Sequence, residues 1–164
     1  MIVLRPTESE LHLGMHVGVL RAIFALRAEL EGKYGCEDTG CAAHINGAIG
    51  EMMLAKHRNL FWTGTVGTVR ASADVGGYLQ VRATELRHGK LIAHPPDKDY
   101  QPFVLARILL PEVHLVGWLW GGEAKQKKFW RDDVARPAFF AWPVRDMETL
   151  PDEVAVRARQ AQSA

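Results

Sequence analysis

The chain has 164 residues, 48% of them hydrophobic and 24% charged, with twenty Lys and Arg against nineteen Asp and Glu for a formal charge of +1. These proportions exclude disordered and fibrous classes and fit one packed domain, because a single core serves about 100–200 residues. A charge so near zero gives no long-range attraction to nucleic acid or anionic lipid, so any such contact must come from a local patch.

The first twenty residues carry Glu8, Glu10, His12 and His16 where a secretory signal would be apolar. No run reaches the roughly 18–20 apolar residues of a membrane helix, so a cytoplasmic protein without a membrane partner is expected. Pro6-Thr7-Glu8-Ser9-Glu10 reads as a capping box, with Thr7 at the cap and Glu10 three residues on. A helix is expected from there to about Glu31, with Leu13, Val17, Leu20 and Phe24 as its apolar stripe, Ile23 and Leu30 widening it, and Gly32 and Gly35 ending it. The two cysteines, Cys36 and Cys41, follow at a spacing that lacks the tight knuckle of a zinc site, and they read as ordinary thiols.

A second helix is expected over Cys41 to Lys56, with Ile45, Ile49, Met52 and Met53 on one side. Gly47 and Gly50 inside it each cost roughly 1 kcal/mol relative to alanine, which suggests that something approaches this backbone closely. From Leu60 the texture turns β-like. Leu60 to Val69, Tyr78 to Thr84, Leu91 to His94, Phe103 to Leu109 and Val113 to Trp120 are short runs between Gly, Pro and Asp punctuation. Ala124 to Arg131 reads as a brief basic helix and Pro137 to Trp142 as a last strand. The fold class expected is α+β: N-terminal helices on one face, then a mixed, mainly antiparallel sheet of about five strands. Residues 1–150 form the single domain in this reading, and 151–164 a frayed tail.

Ionisable groups gather at Glu51 on the second helix, Asp74 before Gly76-Gly77, and Gln80-Val81-Arg82 on the next strand. A helical Glu, then an Asp, then a strand reading acid-or-amide, hydrophobic, basic resembles the PD-(D/E)xK, or restriction-endonuclease-like, nuclease superfamily. Gly47 to Glu51, Trp62-Thr63-Gly64, Asp74-Val75-Gly76 and Gln80-Val81-Arg82 are similar to small phage and prophage proteins of that kind, over about residues 44–142. The resemblance implies a restriction-endonuclease-like core and metal-dependent hydrolysis of DNA phosphodiesters. It implies Mg²⁺ or Mn²⁺ held weakly by Asp74, Glu51, the Gln80 amide and the Val81 carbonyl, with Glu51, Asp74, Gln80 and Arg82 as the catalytic set. DNA is the partner it implies, and a homodimer is compatible with it.

Two positions depart from the family. Gln80 brings no charge where a second carboxylate is usual. Arg82 stands where lysine is usual, and arginine clamps a phosphate but cannot act as a base. Both departures favour the alternative, a catalytically inactive nucleic-acid-binding or phage-structural module of the same fold.

The turn decides which faces meet. A two-residue loop at Gly76-Gly77 pairs Asp74 with Leu79, whereas a three-residue loop sets Asp74 opposite Gln80, and both registers are open at this point. Taken singly, Glu51 is also an ordinary helical carboxylate, Asp74 a turn residue, and Gln80 and Arg82 outward strand residues. For phosphate contact the basic run supplies Lys125, Lys127, Lys128 and Arg131 interleaved with Phe129 and Trp130, with Arg87, Lys90 and Lys98 as a looser second group. A solvated face with docked aromatics is the competing reading of that run. His94 and His114 read as hydrogen-bonded structural groups.

Overall fold

The structure, a computed structural model, describes residues 1–27, 40–67, 73–134, 137–143 and 145–162. In chain order these form β1 (Ile2–Leu4), α1 (Glu8–Arg27), α2 (Cys41–Arg58), β2 (Gln80–Thr84), β3 (Leu91–Ala93), β4 (Pro102–Leu109), β5 (Glu112–Trp120), α3 (Gly121–Ala124), β6 (Trp130–Arg131), β7 (Ala138–Ala141) and α4 (Glu153–Gln162). The chain is an α+β protein, and its long helices α1 and α2 precede every strand but β1. Among the described residues the strands make two sheets rather than one: four strands in the order β1-β5-β4-β2, and three in the order β3-β7-β6. All pairings are antiparallel except β2 with β4. That parallel pair arises because the chain leaves the first sheet after β2, contributes β3 to the second, and returns as β4.

The capping box is present: Glu10 Oε2 accepts from the Thr7 amide at 2.7 Å, and Thr7 Oγ1 from the Glu10 amide at 3.3 Å. The buried stripe of α1, however, is Gly14, Val17, Gly18 and Ala22, while Leu13, Leu20, Ile23 and Phe24 stay substantially exposed. Small residues win that face because α2 crosses so closely that a Cβ on Gly18 would lie 2.4 Å from the Ile45 Cα. Leu30, Glu31, Gly32, Gly35 and Cys36 lie outside the described residues; Cys41 is an exposed free thiol.

On the other side of α2, a Cβ on Gly50 would sit 3.1 Å from Ala106 and 3.3 Å from Val81, so this glycine lets helix and sheet meet. Gly47 has no such neighbour. The main core lies between α2 and the four-stranded sheet, with Ile49, Met53, Leu79, Val81, Val104 and Leu115 in it. A second core of Leu91, Ala93, Phe103, Leu105, Leu119 and Ala141 fills the opposite face, under the three-stranded sheet. The layers thus run helices, sheet, sheet.

Three expectations fail here. Leu60–Gly67 is not a strand, because Gly64 (φ 55°) and Gly67 (φ 103°) break the extended path; Val69 lies outside the described residues. The basic run is not a helix: after α3 comes a single 3₁₀ turn at Lys127–Phe129, and Trp130 and Arg131 then pair with Phe139 and Ala138. The described part of the tail is not frayed but helical over Glu153–Gln162. Asp152 Oδ1 accepts from the Ala155 amide at 2.9 Å to cap α4, which buries Val156 in the main core.

Candidate functional site

The hairpin before β2 adopts the longer of the two loops. Val75 and Leu79 exchange both backbone hydrogen bonds at 3.1 Å, with Gly76, Gly77 and Tyr78 in the turn and both glycines at positive φ. This is the three-residue turn the site requires, but the hairpin is not central: β2 is the edge of its sheet, and the first arm is a lone bridge. Asp74 therefore runs along the open edge of β2, where its Oδ2 accepts from the Val81 amide at 2.7 Å. The Val81 carbonyl opens on the same edge and accepts weakly from Arg82 Nη1 at 3.4 Å.

Glu51, buried on α2, is met from two sides. Arg21 of α1 donates Nη1 and Nη2 to its two oxygens at 2.7 and 2.8 Å, a fork on a carboxylate, while Arg21 Nε donates to the Thr65 carbonyl at 2.8 Å. Trp62 Nε1 adds a third bond to Glu51 at 3.1 Å. The irregular strap at 60–67 thus delivers the groups that lock Arg21 and Glu51 together. Burial alone lowers the Arg21 pKa, but Glu51, with Asp74 behind it, carries it above its ordinary value. Asp74 is pushed up to about 6, first by burial and then by the Glu51 carboxylate, against the Val81 amide, Arg82 and Arg21. The Glu51 carboxylate thus reaches Asp74 electrostatically, and Arg21, forked on Glu51, opposes the rise.

Gln80 and Arg82 do not join this group. Val81 and Ala83 face Gly50 of α2, so strand alternation turns Gln80 and Arg82 to the opposite face of the sheet. There Arg82 stacks 4.8 Å over Phe103 and donates Nε to the Ile92 carbonyl and Nη2 to Asp97, both at 3.0 Å. Its donors serve the fold, which a free phosphate clamp could not.

A divalent cation needs oxygen ligands whose charge is not already neutralised. Both Glu51 oxygens are held by Arg21, one also by Trp62, and Gln80 faces away. Among the described residues no three His, Cys, Asp or Glu side chains gather to hold a metal. As arranged, these residues do not fit Mg²⁺ or Mn²⁺.

The expected phosphate contacts divide as well. Lys125 is tied inward, its Nζ 2.7 Å from Asp99 and 2.5 Å from the Asp97 carbonyl, and Arg131 forks Asp133 at 2.6 Å. Lys127 and Lys128 are exposed. Lys125 and Lys127 rim a shallow hollow of about 400 Å³ with Pro95, Trp130 and Phe139, the two rings packed at 4.8 Å. His114 is hydrogen-bonded to Glu112 at 3.0 Å, as expected of a structural histidine.

The sequence reading missed Arg21 and Trp62. The signal for Arg21 was a single charge in sixteen residues between Glu10 and Arg27, and an isolated charge in an apolar helix calls for a buried partner. No family model matches the chain, and no curated protein or solved structure matches it either. No described helix is long and apolar enough to cross a membrane.

Proposed function

We propose that this chain is a nucleic-acid-binding module that does not cleave, built on the restriction-endonuclease-like plan its sequence resembles. The observation that carries the reading is the Arg21 fork on Glu51: the acid pair that would gather a metal already has its cation, supplied by the chain itself. The binding half draws on Lys127, Lys128 and the hollow beside Trp130, since exposed cations next to an aromatic face suit a phosphate backbone with a stacked base. Fluorescence anisotropy with labelled single- and double-stranded DNA tests it, run beside a cleavage assay in Mg²⁺ and in Mn²⁺. The expected outcome is salt-sensitive binding with intact DNA under both metals, unchanged in Asp74→Ala. Metal-dependent cleavage that disappears in Asp74→Ala overturns it.

One observation favours the hydrolytic reading instead. The three-residue turn holds Asp74 on the Val81 amide with a raised pKa, the environment of a carboxylate that lacks full compensation. The same cleavage assay decides between the two.

A further inference from the structure

On the far side of the sheet from Glu51, a cleft of about 530 Å³ opens between β2, the 86–90 turn, β3 and the β6–β7 ribbon. Its volume falls within the roughly 300–1,000 Å³ of small-molecule sites. Arg82, His88, Lys90, His94 and Arg131 bring nitrogen to it, and Leu86, Ile92 and Phe140 bring apolar surface. Among the described residues no carboxylate lines it. Asp97 and Asp133 lie behind, holding Arg82 and Arg131 in place.

The wall is closely built. The Leu86 amide donates to Thr84 Oγ1 at 3.2 Å and the Gly89 amide to the Leu86 carbonyl at 2.9 Å. A Cβ on Gly89 would lie 2.5 Å from Thr84 Cγ2, so only glycine lets the turn fold down on the strand. Opposite, Ile92 and Phe140 are register partners and share one face of the second sheet.

Two features leave positive charge unanswered. Lys90 makes no ion pair with any described residue and stands exposed at the rim. Arg107, buried at 9% exposure, is the register partner of Thr84, so it shares the Arg82 face; it reaches Gly89 O at 3.4 Å and lies 4.8 Å over Trp142. Its Nε has no hydrogen-bond partner among the described residues, and burial lowers its pKa with no carboxylate opposing. A low-dielectric wall backed by uncompensated cations focuses positive potential into the cleft.

We propose that this cleft binds one nucleotide unit, its phosphate at Lys90 and its base against Ile92 and Phe140. The proposal rests on the nucleic-acid-binding reading and deepens it by naming a subsite separate from the Lys127–Trp130 hollow. Cations alone would suit any anion. The apolar wall beside them selects an anion that carries a flat, apolar body, and a nucleotide has both halves in one molecule. The unit is either a free mononucleotide or one residue of a strand, and the two sources separate by experiment.

The full chain is titrated calorimetrically with dAMP, deoxyadenosine and inorganic phosphate, and by anisotropy with a labelled dA oligonucleotide. Native protein is compared with Lys90→Glu, Phe140→Ala and Lys127→Glu/Lys128→Glu, all checked for unchanged melting temperature. Expected are dAMP binding at least about tenfold tighter than either half alone, and a loss of about tenfold in Lys90→Glu, the size of one charge-assisted contact. Phe140→Ala should weaken dAMP and leave phosphate unaffected, and the Lys127/Lys128 variant should leave dAMP unaffected. Oligonucleotide binding that also falls in Lys90→Glu places a strand residue in the cleft, and oligonucleotide binding that does not places a free nucleotide there. Phosphate binding as tight as dAMP overturns the nucleotide assignment. DNA binding by native protein with no response to Lys90→Glu in either ligand overturns the cleft but leaves the binding reading standing. A Lys90-dependent dAMP signal without any DNA binding does the reverse.

Discussion

Around Glu51 the oxygens meet donors at 2.7, 2.8 and 3.1 Å, all supplied by the chain's own side chains. Around Lys90, across the sheet, cations line a cleft with no described carboxylate among them. The first region is what burial does to charge: a carboxylate under two helices must bring its counterion, and Arg21 is packed beside it by the Gly14–Gly18 crossing. The second is open to water: Arg82 and Arg131 are answered by Asp97 and Asp133, but Lys90 has no described carboxylate partner and can take an anion from solution. A cluster of acids in a sequence is therefore a weaker sign of chemistry than a cluster of charges the fold leaves unanswered.

Glu51→Ala should break the comparison most severely. It strands the Arg21 guanidinium beneath the helices, and removing one member of a buried pair costs about 3–5 kcal/mol. The melting temperature should fall by on the order of 10 °C for a chain of this size. Lys90→Ala, on the open side, should shift stability by less than about 0.5 kcal/mol. Arg21→Met is the mirror experiment, leaving two carboxylates without their cation: Mn²⁺ should raise the melting temperature of that variant and not of the native chain. If Mn²⁺ stabilises the native chain and Asp74→Asn abolishes the effect, the acid pair holds metal despite Arg21, and the hydrolytic reading gains.

Asp74→Asn sharpens the comparison with a smaller effect. The Asp74 pKa rises from 3.8 to about 6 on folding, so between those values the folded state binds the extra proton. Its contribution therefore favours the fold at low pH and is lost as pH rises through about 6, opposite in sign to a salt-bridged carboxylate. The loss at neutral pH is on the order of 2 kcal/mol, given roughly 1.4 kcal/mol per pH unit and a side chain still partly in water. Asparagine keeps an oxygen for the Val81 amide and never ionises. Denaturant melts from pH 4 to 8 should show the variant more stable than native above pH 6, with the difference vanishing near pH 4. A constant difference across that range would mean that Asp74 is not perturbed by its surroundings.

Much of the fold was legible in local pattern. The Thr7–Glu10 box, the second helix and the runs at β2 to β5 carry signals within a few residues of one another, and Gly50 announced a close approach that the structure locates at Ala106 and Val81. What failed depends on distant partners. Leu60–Gly67 has strand composition, but its groups are spent on Arg21 and Glu51, and among the described residues no strand pairs with it. β1 pairs with β5 across more than a hundred residues, and nothing in Ile2–Leu4 says so. In the site, Gly76-Gly77 marked a turn after Asp74, but its register stayed open until the Val75–Leu79 pairing fixed it. Separating Glu51 from Gln80 and Arg82 needed the knowledge that Val81 faces α2, which is a property of packing.

The smallest effect separates lysines that look alike in sequence. Lys125 is held by Asp99 and by the Asp97 carbonyl, whereas Lys127 and Lys128 stand in water one and two residues past Gln126. A cation already paired releases no counterion from DNA when the complex forms, because its charge is neutralised before the encounter; an exposed one releases about one. Plots of log affinity against log salt should therefore lose about 0.7–0.9 of slope for each of Lys127→Ala and Lys128→Ala. Lys125→Ala should leave the slope unchanged and lower stability by a few tenths of a kcal/mol through its partly buried ion pair. Equal slope changes at all three positions would show that Lys125 leaves Asp99 when DNA arrives, and the basic run would then act as one patch.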